Sequence, residues 1–560
     1  MRTFLRFFLL IVLISAPRVL GAYSSVTVPV EEPVYRQLDK LVAHGLVKTR
    51  LLGQRPYVRS EIARLIAEAL RNYPDFEARY RDASIGTRET AKRLRAKVYI
   101  DGILDELKYE YADELAQLDP GSKKIPRFQG QPFDQLRFDY IYLDQTPMLF
   151  PPNNGLGGIN AVTRPLVEQR GGRHYQNGSN FAFESTHWMR LGKYFSVQAE
   201  PRFQIQVARD QNDETKAFVQ RLNGRLTWRA LDLEIGRDSL NWGPSPDGGL
   251  GISNNARPLD FIKLSSIHPF EYPFFFRKLG INEWSLVVAN LGPEQHFKNS
   301  WLVAWKMSNR GSPYFEMGFS QLLVMGGEGA PSQGFGDSIL QFFGVGGKKE
   351  ASNRSLDVDL IATIPQWRGL EIYNQLSFED FDINPSVFFG QDINLLSGLY
   401  LPRLNDSGTL DLRLEFRRLT PSYARHPVFT DGMTENQFLL GDPLGPGAYA
   451  LSAEVKYDLT PKTLLALKFR FAQRSGDIYE VDDDTDSVEK ILSRPKETRY
   501  LGMFALRRRL NRHFTLRAGL GVEGVRNVNF QEGDKQTQWL GEFGFTYHFR
   551  PHFSVHRKED

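Results

Sequence analysis

The stretch WLGEFGFTYHF, residues 539–549, sets Trp539, Gly541, Phe543, Phe545, Tyr547 and Phe549 on one parity and Glu542, Thr546 and His548 on the other. Strand side chains alternate between two faces, whereas helical ones recur every 3.6 residues, so this spacing predicts a strand. One face is almost wholly aromatic, and the run has roughly the 9–11 residues that cross a bilayer at a tilt. One such strand would suit a membrane or the core of a soluble sandwich, and recurrence decides between them.

The pattern recurs along most of the chain. Leu410, Leu412, Leu414 and Phe416 alternate with Asp411, Arg413, Glu415 and Arg417, an inward face that no soluble core would accept. Leu465, Leu467, Phe469 and Phe471 alternate with Ala466, Lys468, Arg470 and Ala472. Val197, Ala199, Phe203, Ile205 and Val207 alternate with Gln198, Glu200, Arg202, Gln204 and Gln206. Phe514, Leu516, Ala518, Leu520 and Val522 alternate with Thr515, Arg517, Gly519, Gly521 and Glu523. Each run has one apolar face and one charged or small face.

Residues 1–22 carry Arg2 and Arg6, then an apolar run over 7–14, then the small Gly21 and Ala22. This reads as a secretory signal peptide, since the apolar run is too short to span a bilayer. No uninterrupted stretch of about 18 apolar residues follows that could form a spanning helix. An integral protein built without such helices must be a closed barrel, because lipid leaves open sheet edges unsatisfied. The mean hydropathy of −0.39 is compatible with a barrel, whose lipid face uses every second residue. The absence of cysteine excludes disulfides, thiolate metal sites and cysteine nucleophiles. A net charge of +4, from 70 basic and 66 acidic residues, gives no case for nucleic acid.

The segment over residues 30–120 has helical rather than alternating periodicity. Val34, Leu38, Leu41 and Val42 share one face, with Gly45 as a C-terminal cap. A second helix is predicted over 60–73, with Pro74 beyond its end, and a third over 87–118. A Pro- and Gly-containing linker, 119–132, leads to a first strand over 136–143. From there short connections (192–194, 459–462, 510–513) alternate with long ones (151–178, 244–258, 418–447, 475–498). Outer-membrane barrels have short periplasmic turns and long external loops, so loop length gives the orientation.

The predicted fold is therefore an all-β transmembrane barrel of about 18 antiparallel strands with a small N-terminal α-helical periplasmic domain. Its expected division is 1–22 signal peptide, 23–132 helical domain and linker, 133–549 barrel and 550–560 tail. Inward charges such as Arg202, Arg413, Arg417, Lys468, Arg470 and Arg517, set against Glu200, Glu371, Glu415 and Glu454, either guide a solute or pair across a solvated wall.

The segment GRDSLNWGPSPDGGLGISNNARPLDFIKL, residues 236–264, contains Gly236-Arg237-Asp238, then Trp242-Gly243-Pro244, then a glycine- and asparagine-rich run over 249–256. In that order these elements resemble the signature of the Wzi-like capsule assembly family of outer-membrane proteins. VYRQLDKLVAHGLV and RPYVRSEIARLIAEAL resemble the helical region that precedes the barrel in that family. The resemblance implies an 18-stranded barrel over a periplasmic helical bundle, acting without catalysis as a surface lectin that attaches capsular polysaccharide. The tail 550–560 departs from the usual barrel ending at a terminal aromatic.

In this segment Trp242 offers a flat apolar surface to a sugar ring. Arg237, Asp238, Asn241, Asn254, Asn255 and Arg257 offer donors and acceptors to hydroxyls or uronate carboxylates. Equally, residues 236–242 can end a strand while the glycines and Pro244 shape a loop folded into the lumen, and both can hold at once. Asp482, Asp483, Asp484 and Asp486 read as a solvated acidic loop, because they lack the glycine and distal glutamate of a calcium loop. The ten histidines show no paired metal-ligand spacing, and no GxSxG, Walker A or dinucleotide motif is present. The expected protein is a non-enzymatic outer-membrane lectin without cofactor or metal. Its expected partners are capsular or extracellular polysaccharide, outer-membrane lipid and the polysaccharide export machinery. The competing functions are a porin or carbohydrate channel, and a barrel hydrolase.

Overall fold

The computed structural model describes residues 23–81, 88–118, 126–151, 155–331, 351–379, 393–482, 487–549 and 553–555. The expected signal peptide, Asp483, Asp484 and Asp486 lie outside the described residues.

Eighteen long antiparallel strands close into one barrel. In chain order they are β1 Phe128–Asp144, β2 Gly178–Leu191, β3 Phe195–Ala208, β4 Glu214–Trp228, β5 Leu231–Asp238, β6 Leu259–Ser266, β7 Ile281–Asn290, β8 Trp301–Ser312 and β9 Phe315–Met325. They continue as β10 Ser352–Ile364, β11 Leu370–Glu379, β12 Ile393–Leu401, β13 Leu410–Leu419, β14 Ala448–Thr460, β15 Thr463–Arg474, β16 Glu497–Arg509, β17 Phe514–Arg526 and β18 Lys535–His548. The seam is β1 against β18, in register from Gln135 opposite His548 to Asp144 opposite Trp539. Closure leaves the wall without an exposed edge, which a bilayer demands. Two short segments, Phe270–Glu271 and Phe553–Val555, extend the sheet at one end, the second by pairing with Phe128–Gly130.

The alternation places side chains as their sequence requires. Leu520 is 66% and Trp539 53% exposed on the outer face, while Glu523 and Thr546 are buried on the inner one. The first strand begins at Phe128, within the segment read as linker. Pro132 is tolerated there because pairing with β2 skips between Gln131 and Gln135, a bulge where no ladder donor is needed.

Among the described residues four helices precede the barrel: α1 Val34–Ala43, α2 Arg59–Arg81, α3 Arg88–Glu110 and α4 Ala112–Leu118. α1 ends as expected, with Gly45 at φ 74° and the Leu46 N–H returning to the Leu41 carbonyl at 2.9 Å. Two boundaries differ from expectation. α2 runs through Pro74 to Arg81. Proline there forfeits one backbone hydrogen bond, and continuing the helix buries Phe76 edge-on against His44 at 5.7 Å. The third expected helix breaks at Tyr111, whose buried ring takes the Arg59 guanidinium at 4.5 Å, and α4 redirects Glu114 onto that same arginine.

The helices close the end of the barrel that carries the short turns. Arg36 pairs with Asp411 at 2.8 Å and Asp458 at 2.6 Å, the Ala43 carbonyl accepts from Arg403 at 3.1 Å, and the Lys193 carbonyl accepts from the Ser24 N–H at 2.8 Å. Lys40 is fully buried and pairs with Asp411 at 2.9 Å. Burial nevertheless lowers its ammonium to about 8.

His44, at the end of α1, is buried with Arg403, Lys40 and Arg79 about it, and desolvation followed by these cations holds its pKa well below 6.5. A base with a depressed folded pKa stabilises the fold fully above its unfolded value, and that stability is lost as pH falls through it. Acidifying from pH 7.5 to 5.5 is therefore expected to cost about 1.4 kcal/mol for the unit below 6.5. Amide exchange in α1 checks this: protection should fall at pH 5.5 in the native chain and less in His44→Gln.

Candidate functional site

At the long-loop end the connections turn back into the barrel, and the inner wall explains why. Val287 and Ala289 of β7, Leu302 and Ala304 of β8 and Leu322 and Val324 of β9 are apolar on the lumen side, and their outward neighbours are apolar too. A wall of that composition needs something to bury it. Leu240, Trp242, Leu250 and Ile252 of the loop after β5 cover it, joined by Tyr423, Phe429, Met433 and Leu440 of the loop after β13.

The segment 239–258 is the hub of this filling. At Gly236, φ 127°, any Cβ would overlap the Leu222 carbonyl, so glycine permits this close approach just before β5 ends at Asp238 and the chain leaves the wall. Asn241 and Trp242 then pair with Arg55 and Gln54 from the N-terminal segment, and the Gly243 N–H reaches the Gly53 carbonyl at 2.9 Å. Gln375 on the wall accepts from the Leu250 N–H at 2.7 Å. On the other side the Ser253 N–H donates to Leu440 at 2.8 Å, and the Asn254 and Asn255 carbonyls accept from Gly171 and Gly172 at 2.7 and 2.9 Å. Gly441 lies so close to this segment that a Cβ would strike the Leu250 carbonyl and the Tyr423 hydroxyl. One loop thus joins the N-terminal segment, the wall and the two long connections that carry Gly171 and Leu440.

The structure places the candidate residues of 237–257 mostly inside the barrel. Trp242 is 2% exposed, packed among aliphatic side chains, and offers no face to a polymer outside. Asp238 is buried and accepts from the Thr27 hydroxyl at 2.7 Å, and Asn241 is buried beside it in the hub. The Asn255 amide donates to the Leu439 carbonyl at 3.0 Å. Asn254 donates to the Gln169 carbonyl at 3.1 Å and faces an internal cavity. Arg237 points the other way, pairing with Asp260 at 2.6 Å on the outer face of the wall. Arg257 approaches the mouth at the long-loop end, as the partner of Glu435. The physical reason is the apolar inner wall: covering it with the Trp242 ring outweighs leaving that ring in water.

The mouth at the long-loop end is built from other residues. Thr434–Glu435 and Phe438–Leu439 form a hairpin whose turn residues, Asn436 and Gln437, take φ 49° and 63°. His174 packs on Phe438 with ring centroids 4.6 Å apart and meets the Asn436 amide at 3.3 Å. His174, Gln437 and the nearby His296 are exposed. Arg257, His174, Asn436 and Phe438 thus form a ridge of flat rings and planar amides, the side-chain types that contact sugar rings and hydroxyls. The aromatic alternation carries no mark that singles out Phe438, since the residue stands in a two-residue strand outside the wall.

Residues 160–540 match the family model for capsule assembly protein Wzi. Among solved structures the chain is similar to Wzi of Escherichia coli, described as an outer-membrane, carbohydrate-binding β-barrel involved in group 1 capsule assembly. That likeness has a TM-score of 0.64 at 13% identity, over 94% of this chain and 100% of the other, and establishes the shared fold. Pseudomonas aeruginosa OccK11 (OpdR) follows at a TM-score of 0.41 and 10% identity, over 76% of this chain and 97% of that one. No curated protein matches the chain. With well over half its length matched by the family model, this chain belongs to the Wzi capsule assembly family.

Proposed function

We propose that the protein is an outer-membrane lectin that holds capsular or extracellular polysaccharide at the cell surface through the ridge at its outer mouth, with the helices in the periplasm. The observation that carries this reading is the filled lumen. Outer loops and the N-terminal segment meet hydrogen bond to hydrogen bond at Gly53 and Gly243, so a rigid element stands where a diffusion channel would need open water. Each repeat of a polymer makes a few contacts with the ridge, and many barrels on one cell supply avidity. The reading involves no catalysis. Export machinery as a partner belongs to the same proposal, since newly exported polymer must be handed to its anchor.

The test is deletion of the gene. Polysaccharide should move from the cell-bound fraction to the medium while total synthesis is unchanged, and Phe438→Ala with Asn436→Ala should reproduce this with a normally heat-resistant barrel on gels. Unchanged cell-bound polysaccharide would overturn the reading. Large steady conductance of the purified protein in planar bilayers would favour a channel instead.

A further inference from the structure

A cavity of about 430 Å³ lies between the helices and the barrel wall, on the opposite side of the hub from the outer ridge. Its size falls within the roughly 300–1,000 Å³ range of small-molecule sites. Tyr99 of α3 contributes to its floor, Arg413 of β13 to its wall and Asn254 of the signature segment to its roof. Lys462 and Arg512, both exposed at short turns, line its mouth.

The lining carries charges of both signs, and most of its carboxylates are held by a basic partner. Asp411 is held by Arg36 and Lys40 at 2.8 and 2.9 Å, Asp458 by Arg36 at 2.6 Å, and Glu454 by Lys456 at 2.7 Å. Among the described residues no carboxylate lies within 4 Å of Arg55 or Arg413 on the lining, nor of Arg512 at its mouth. Arg413 sits 3.9 Å over the Tyr400 ring and donates to the Tyr373 hydroxyl at 2.9 Å, which holds the guanidinium in place. Arg55 is 9% exposed, donates through Nη1 to the Ser245 carbonyl at 3.1 Å, and has no partner for its Nε. Burying Arg55 without a carboxylate in contact is costly, and a bound carboxylate would repay it. Around the arginines stand Asn254, Gln169, Gln198 and Thr186, and the Gln169 side-chain oxygen has no hydrogen-bond partner. Amides and hydroxyls beside an unpaired planar fork match the hydroxyls and carboxylate of an acidic sugar.

We propose that this cavity is a second saccharide site, taking a carboxylated sugar of one or two rings that enters at the short-turn end. It goes beyond the outer-mouth reading and borrows only its orientation, under which the ligand arrives from the periplasm. The cationic mouth at Lys462 and Arg512 raises the local concentration of such an anion.

The experiment uses the full chain in detergent, titrated with digalacturonate and, as the neutral counterpart, maltose. Digalacturonate should bind by calorimetry and maltose should not, and Arg413→Gln and Arg55→Gln should each weaken binding about tenfold. Arg257→Gln on the outer ridge should leave binding unchanged. Because an arginine variant could perturb folding, a second readout uses the cysteine-free background. Thr463→Cys, half-buried on the lining, should react with a small maleimide, and digalacturonate should slow that reaction. No binding of digalacturonate, equal binding of maltose, loss of binding only with Arg257→Gln, or an unprotected cysteine would each overturn the proposal. A failed retention assay on cells would leave this site standing, and failure here would leave the outer ridge standing.

Discussion

Glu316→Ala is expected to release the N-terminal segment from the barrel at a cost of about 3–5 kcal/mol, the range for breaking a buried ion pair by removing one partner. The Glu316 carboxylate is 1% exposed on the inner face of β9. It accepts from the Leu52 N–H at 2.8 Å and the Gly53 N–H at 3.0 Å, and from Arg310 at 2.9 Å. Alanine strands the Arg310 charge and two backbone donors together, in a place water reaches poorly. Hydrogen exchange should rise across residues 50–58 while the barrel remains heat-resistant on gels, and Glu316→Gln should recover part of the loss by keeping an acceptor. Native protection across 50–58 in Glu316→Ala would show that the segment is held by its apolar contacts instead.

Trp242→Ala is expected to cost about 3–5 kcal/mol, as other buried tryptophan truncations do. The side chain that disappears lies between the Gln54–Arg55 pairing and the Ile252 backbone, so both sides of the hub should loosen at once. Protection should fall at residues 53–55 and at the 434–439 hairpin, and cell-bound polysaccharide should fall with it, although Trp242 touches no outer surface. Trp242→Phe should restore part of each. A variant that lost retention with normal protection at the hairpin would instead place Trp242 in contact with the polymer.

The two predictions rest on parts of the molecule that differ in how far the chain alone discloses them. The wall was legible because a bilayer imposes period two on every spanning strand: Trp539, Phe543 and Phe545 face outward as their spacing requires. Loop lengths were legible for the same reason, and the helices gather at the short-turn end that those lengths mark out. Helix ends were less so. Pro74 was read as a stop, yet the burial of Phe76 in the next turn carried α2 past it. The signature segment is legible as a unit, and its glycines and Pro244 suit a loop folded into the lumen. Which way Trp242 faces is not legible, because a glycine-rich loop has no periodicity to orient it. A clue lay elsewhere in the chain: residues 284–291 and 321–325, WSLVVANL and QLLVM, are apolar on both parities where other strands alternate. Strands apolar on both faces are covered on both faces, and the lumen side of these could be covered only by the protein itself.

Local chemistry by itself therefore determined that this protein is a barrel, where its apolar belt lies and which end carries its long loops, since each follows from neighbouring residues and the demands of lipid. Only the tertiary structure decided that the lumen is filled, that the signature segment serves as its hub, and that Arg55 and Arg413 share a cavity. Those facts depend on residues hundreds of positions apart finding the same apolar wall or the same buried charge, and no spacing along the chain encodes such a meeting.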